Sequence, residues 1–423
     1  MVVTQTMRTR SPALDMMAHK IVVGLGGIIL VVLLGMTYAV PSEWVVAESA
    51  ESTPSSDVES DIPAQPKPRV SHIKTPDPMY AIYMSQCVVG TPTFREKLVQ
   101  FVDDTALNAI IIDIKDYTGK IAFTTDNPML ADSVSDACGA RDMREFVQML
   151  HDKGIYVIGR ITVFQDPYYT KLHPSAAVQS ASTGTPWKDY KGLAFIDVSH
   201  KPYWDYVVEL SRVAYEDFGF DELNYDYIRY PSDGPMKDTR FVNNNKPEAV
   251  ELFWKYLHEH VQPTGAAMSA DLFGMTTTNS DDLNIGQQLE RALPYFDYIA
   301  PMVYPSHYPK NFRDLGNPNN HPYEVVKISM DAAVKRTMAT TTLVKTLDGR
   351  AIASTSPQLY TKEAYSKLKM RPWLQDFDYG KDYTRADIEA QIQATYDAGL
   401  TSWYFWDPAN KYTALREHLA DKP

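Results

Sequence analysis

Between Tyr80 and Asp407, short apolar runs alternate with amphipathic stretches, and few folds accommodate that rhythm. Eight runs read as strands: Tyr80–Ser85, Asn108–Lys115, Ile155–Phe164, the first half of Phe220–Pro231, Ala266–Met275, Phe296–Tyr304, Arg371–Phe377 and Ser402–Asp407. Helical patterns lie between them, over Phe94–Asp104, Arg141–Lys153, Pro202–Asp217, Glu248–Val261, Leu283–Leu293, Tyr323–Met338 and Arg385–Ala398. Gly154 and Gly219 stand where two of these helices should stop. Eight strands with intervening helices predict an α/β fold, a (β/α)8 TIM barrel over residues 79–423. A doubly wound open sheet is the alternative, but no glycine-rich phosphate loop follows the first strand. A ninth apolar run, Leu193–Val198, belongs to the long loop after the third strand, and Ala339–Lys369 reads as an insertion before the seventh.

The segment ahead of the barrel reads as an address. Ile21–Val40 is a run of twenty uncharged residues, long enough to cross a bilayer as one transmembrane helix. Arg8, Arg10 and Lys20 precede it, which places residues 1–20 in the cytoplasm and everything after Val40 outside. A retained anchor over residues 21–40 competes with a signal peptide cleaved near Thr37–Ala39, and a buried helix of a soluble protein is a third reading. Residues 41–78 are rich in Pro, Ser and acidic side chains and predict a disordered linker. Outside the membrane Cys87 and Cys138, the chain's two cysteines, have the option of pairing; the other reading is two free thiols.

A barrel gathers function at the C-terminal ends of its strands. Polar groups collect there: Asp113, Lys115 and Asp116; Arg160 and Thr162; Asn224, Asp226 and Arg229; Asp271; Tyr304 and His307; Gln375 and Asp376; Trp406 and Asp407. Strand starts are mostly apolar or small. The stretch FDELNYDYIRYP is the densest, with Leu223, Tyr225 and Tyr227 expected on one side of the strand and Asn224 and Asp226 on the other. Its plainer reading is an Asp226–Arg229 ion pair. A net charge of −12 argues against nucleic acid as a partner. The 27 tyrosines and 7 tryptophans suit sugar clefts, where a ring offers an apolar face beside a polar edge. No metal-ligand spacing is present among the histidines and cysteines, and no cofactor is implied.

The segments NAIIIDIKDYTG, GIYVIGRITVF, FDELNYDYIRYP, DYIAPMVYPSHY and SWYFWDP resemble a bacterial family known as the putative glycosyl hydrolase domain, whose members are exported or membrane-anchored barrels. The resemblance spans most of residues 79–412 and implies the barrel more firmly than an activity. FDELNYDYIRYP is also similar to the chitinase signature, with Asp221, Asn224 and Asp226 at its aspartate positions, but Ile228 stands where that family has its catalytic glutamate. Tyr304 in PMVY is similar to the sixth-strand tyrosine of that family. The α-amylase-like pattern implies a nucleophilic aspartate ending the fourth strand and a general acid ending the fifth. Asp226 and Asp271 match those places, although the family's acid is glutamate and Asn224 replaces its usual arginine.

Glycoside cleavage needs one protonated and one ionised carboxyl. The expected reading is Asp226 as nucleophile and Asp271 as acid/base, acting on an extracellular or cell-envelope polysaccharide. Asp113, Lys115, Arg160, Asn224, Arg229, Tyr304, His307, Asp376, Trp406 and Asp407 are the expected substrate-binding residues. Asp376 or Asp407 as the partner acid would imply a wider gap and inversion. Asp113 and Lys115 also read as a simple pair, Arg160 as the neutraliser of Asp226, Tyr304 and Trp406 as core aromatics, and His307 as a loop cap. A glycan-binding barrel without turnover is the rival function.

Overall fold

A computed structural model describes residues 70–344 and 358–420. Eight parallel strands close into a barrel: β1 (Tyr80–Met84), β2 (Ala109–Lys115), β3 (Tyr156–Thr162), β4 (Glu222–Asp226), β5 (Ala267–Phe273), β6 (Tyr298–Met302), β7 (Trp373–Gln375) and β8 (Trp403–Trp406). Each strand lies beside the next, and β8 closes against β1. A helix follows each in turn: α1 (Pro92–Asp103), α2 (Met143–Asp152), α3 (Lys201–Phe218), α4 (Lys246–Val261), α5 (Leu289–Ala292), α6 (Pro322–Met338), α7 (Arg385–Asp397) and α8 (Thr413–Leu419). The apolar run at 21–40 lies outside the described residues. Among those described, no helix is long and apolar enough to cross a membrane.

Strand parity sorts the side chains into two cores. Ile110, Ile112 and Ile114 of β2 face the helices, as do Leu223 and Tyr225 of β4. Ala109 and Ile111 face the barrel interior with Ala81, Tyr156, Ile158, Ala300, Trp373 and Tyr404. Low in that interior, Arg371 pairs with Glu222 at 3.0 Å and donates to the Tyr404 hydroxyl at 3.1 Å. The Tyr156 hydroxyl reaches Glu222 as well, at 3.3 Å.

Three local features depart from the sequence pattern, each for a visible reason. The helix expected over Leu283–Leu293 shrinks to α5, because Asp281 and Asp282 accept hydrogen bonds from the backbone of Leu283, Asn284 and Gly286 and hold a turn there. Tyr227 takes a positive φ of 51°, which ends the alternation of β4 at Asp226 and turns the ring away from the side of Leu223 and Tyr225. Val70–Pro78, part of the stretch read as linker, packs on the barrel. The Ile73 amide donates to Asp221 at 2.8 Å, and His72 stacks on Tyr215 with ring centroids 3.9 Å apart. Within the Ala339–Lys369 insertion, Thr341–Val344 pairs antiparallel with Gln358–Thr361. Cys87 and Cys138 are joined as a disulfide, tying the short helix Gln86–Val89 to the loop after β2.

The buried Glu222–Arg371 pair sets a stability test. Arg371→Met should cost about 3–5 kcal/mol by leaving Glu222 uncompensated, and adding Glu222→Leu should recover most of it. Urea unfolding of the single and double variants measures both; equal losses in the two would rule out coupling.

Candidate active site

Register sets the site. Asp113, Arg160, Asn224 and Ser269 stand level on β2, β3, β4 and β5, all pointing inward. Asp226 and Asp271 stand one step past the last paired residues of β4 and β5, Tyr225 and Ala270, so they share a level on adjacent strands. Level positions on neighbouring strands are about 4.8 Å apart.

Arg160 ties the acids together. Its Nη1 donates to Asp113 Oδ1 at 2.5 Å, its Nη2 to Asp226 Oδ2, and its Nε to Asp271 Oδ2 at 3.4 Å. The Tyr83 hydroxyl donates to the other oxygen of Asp113 at 2.5 Å. Asp271 Oδ1 accepts from Asn224 Nδ2 at 2.9 Å and from Trp373 Nε1 at 2.7 Å. Asp226 Oδ1 accepts from the Tyr227 amide at 2.6 Å.

Three buried carboxylates thus face one guanidinium, and the excess negative charge favours retaining a proton. Burial, followed by the charge of Asp226, pushes the Asp271 carboxyl up to about 7, against the opposing pull of Arg160, Asn224 and Trp373. Burial also raises Asp113, opposed by Arg160 and Tyr83. Arg160 itself is held well above its ordinary value, since the charges of the three aspartates outweigh its burial.

Above this cluster opens a cleft of about 270 Å³. Asp226, Asp271 and Arg160 line it together with Tyr304, Trp373 and Trp406. Gly274 also lines it, and a Cβ there would run into the Met302 carbonyl, so glycine lets this backbone pack close against β6. Beyond His307 and Trp406, which belong to both, a second hollow of about 550 Å³ extends over Phe377 and Tyr379.

Of the residues singled out in the sequence, Arg160, Asp226, Arg229, Asp271, Tyr304, His307 and Trp406 line the cleft. Asp113 and Asn224 lie behind it, holding Arg160 and Asp271. Lys115 does not join them. The β2–β3 register shifts between Asp113 and Lys115, and the lysine turns outward to bond Asp166 at 2.9 Å and the Thr162 carbonyl at 2.7 Å. It therefore does not pair with Asp113. Nor does Arg229 pair with Asp226, which is bound by Arg160 instead.

Asp376 and Asp407 lie in the second hollow and are committed to backbone. Asp407 accepts from the amides of Ala409, Lys411 and Tyr412, and Asp376 from that of Leu415, so they fasten the chain leading into α8. Asp221, aligned with the chitinase pattern, sits at the opposite end of β4, bound by His151 at 2.9 Å, and Ile228 is buried in the outer core. Tyr83, Trp373 and Tyr227 were not among the expected site residues. Inward parity on β1 and β7 is the signal that marks the first two; Tyr227 has none, because its position depends on the positive φ.

The family model described as "Putative glycosyl hydrolase domain" matches residues 81–412. Among curated proteins nothing matches. Of solved structures, a hypothetical protein from Ruminiclostridium thermocellum ATCC 27405 is 30% identical, over 45% of this chain and 96% of that one, with a TM-score of 0.41. The PgaB (BpsB) glycoside hydrolase domain from Bordetella bronchiseptica is 13% identical, covering 81% of this chain and 99% of that one, with a TM-score of 0.56. Alpha-L-fucosidase isoenzyme 2 from Paenibacillus thiaminolyticus is 10% identical, with 81% of this chain and 49% of that one aligned and a TM-score of 0.54. The last two likenesses are likenesses of fold.

The Asp271 carboxyl should titrate near pH 7 in a ¹³C-carboxyl NMR experiment, and Asp226→Asn should move its midpoint down by removing a repelling charge. A midpoint near 4 in the wild-type protein, the ordinary aspartate value, would contradict the buried acid described here.

Proposed function

The chain belongs to the putative glycosyl hydrolase domain family, and from that premise we propose that it is a glycoside hydrolase acting on an extracellular or cell-envelope polysaccharide. The observation that carries the reading is the pair Asp226 and Asp271, level on adjacent strands at the floor of an aromatic-walled cleft, with Asp271 raised to about 7. Asp271 donates its proton to the glycosidic oxygen as the bond to the leaving sugar breaks. Asp226, as the carboxylate, forms a bond to the anomeric carbon. Asp271, now ionised, takes a proton from water, whose oxygen displaces Asp226 and frees the product. Two level strand ends support the spacing of roughly 5–5.5 Å at which such pairs retain configuration. Tyr304 and Trp406, tilted together with centroids 5.3 Å apart, offer the sugar an apolar face. Arg160 bridges both acids, which also suits the rival reading, a glycan-binding barrel without turnover; measured hydrolysis separates the two.

The same proposal places the barrel outside the cytoplasmic membrane, held by residues 21–40. The uncharged run and its basic flank support it, as does the Cys87–Cys138 disulfide, a bond that persists in oxidising compartments.

On a glycan that the protein cleaves, Asp226→Asn should abolish turnover. Asp271→Asn should lower kcat roughly 10²–10⁴-fold, and less for substrates with an activated leaving group. In the wild type, kcat/KM should fall as pH rises through about 7, because Asp271 then loses the proton it must donate. Undiminished hydrolysis by the Asp226 variant would refute the assignment. For location, protease added to intact spheroplasts of a bacterial host should digest the barrel while the protein stays in the carbonate-washed membrane fraction; full protection would place it inside.

A further inference from the structure

Arg229 is a buried arginine without an acid. Arg291 is paired with Glu251, Arg371 with Glu222, and Arg160 with its three aspartates. Arg229, only 7% exposed and lining the cleft just beyond β4, forms no ion pair among the described residues. Its Nη1 donates to the Tyr230 carbonyl at 3.0 Å and to Ser232 Oγ at 3.1 Å. Its Nε is buried with no partner. The Tyr227 ring lies 4.6 Å from the guanidinium carbon and covers one face. Asp233 lines the same cleft without reaching it.

Burying a cation without a counter-charge is costly, and a cleft is where such a cost serves binding. The Nη1 bonds and the Tyr227 ring fix the plane of the fork. Nε is shut away from solvent, but Nη2 has no protein acceptor among the described residues and is left to donate to a carboxylate oxygen in the cleft. Lys191, in the loop after β3, adds positive charge close enough to act on His307 of the same cleft. We propose that Arg229 recognises a carboxylate on the substrate sugar, so that the polysaccharide is an acidic one built with uronic acids. The inference deepens the glycosidase reading and rests on it for the polymer, while the binding of the carboxylate stands apart from turnover. Like charge would keep that carboxylate away from Asp226, so Arg229 would also decide which way round the sugar lies.

The test compares glucuronate with glucose, which differ at the C6 carboxylate, by ligand-observed NMR titration at fixed ionic strength. The wild type should bind glucuronate about tenfold more tightly, and Arg229→Met should bring the two within about twofold. Arg229→Lys should keep part of the preference, since charge remains without the fork. Equal binding of the two sugars by the wild type, or an unchanged preference in Arg229→Met with a native circular-dichroism melt, overturns the proposal. If Arg229→Met does not fold, the wild-type comparison and Arg229→Lys decide. A protein that hydrolyses nothing yet prefers glucuronate in an Arg229-dependent way would remove the hydrolase reading and leave this one standing.

Discussion

A single guanidinium inside the barrel holds the site together. Arg160 rises from β3 and bonds acids carried by β2, β4 and β5, so three neighbouring strands present their carboxylates to one point. Neither party is stable there alone. An unpaired arginine or three unpaired aspartates would each face a heavy desolvation cost. Together they leave an excess of negative charge, and burial, followed by the charge of Asp226, keeps a proton on Asp271 near neutrality. The hydrogen bonds from Tyr83, Asn224 and Trp373 fix the acids in place, so the same contacts that permit burial also aim the carboxyl groups.

The two ends of the barrel use their polar groups differently. At the strand starts, Asp221 binds His151 and the Ile73 amide, and Glu222 binds Arg371; each acid has a local partner. At the strand ends the acids border open volume walled by Tyr304, Trp373 and Trp406. This contrast carries the functional reading further than the likeness of fold does, because the same barrel serves many chemistries. Arg229 extends the contrast: among the described residues, this buried cation at the open end has no acid, unlike Arg371 and Arg291.

Much of this was readable in the chain. The inward parity of Asn224 and Asp226, and of Tyr404 and Trp406, follows from the two-residue period of a strand. What escaped the pattern did so where the backbone leaves that period. One register shift turns Lys115 from the rim to Asp166. One positive φ moves Tyr227 onto the cleft wall. Carboxylates that bond backbone amides, as in Asp281, Asp282, Asp376 and Asp407, look in sequence like any rim acid or helix-compatible residue.

By itself the sequence determined the architecture, the eight strands and, on β4, the face that turns inward, because hydrophobic periodicity is a local property written residue by residue. Only the tertiary structure decided which charges meet. Arg160 chose Asp113, Asp226 and Asp271, Lys115 chose Asp166, and Arg229 was left without an acid among the described residues, because pairing depends on distances between strands far apart in the chain and on the few ångströms by which a bulge or a turn redirects a side chain.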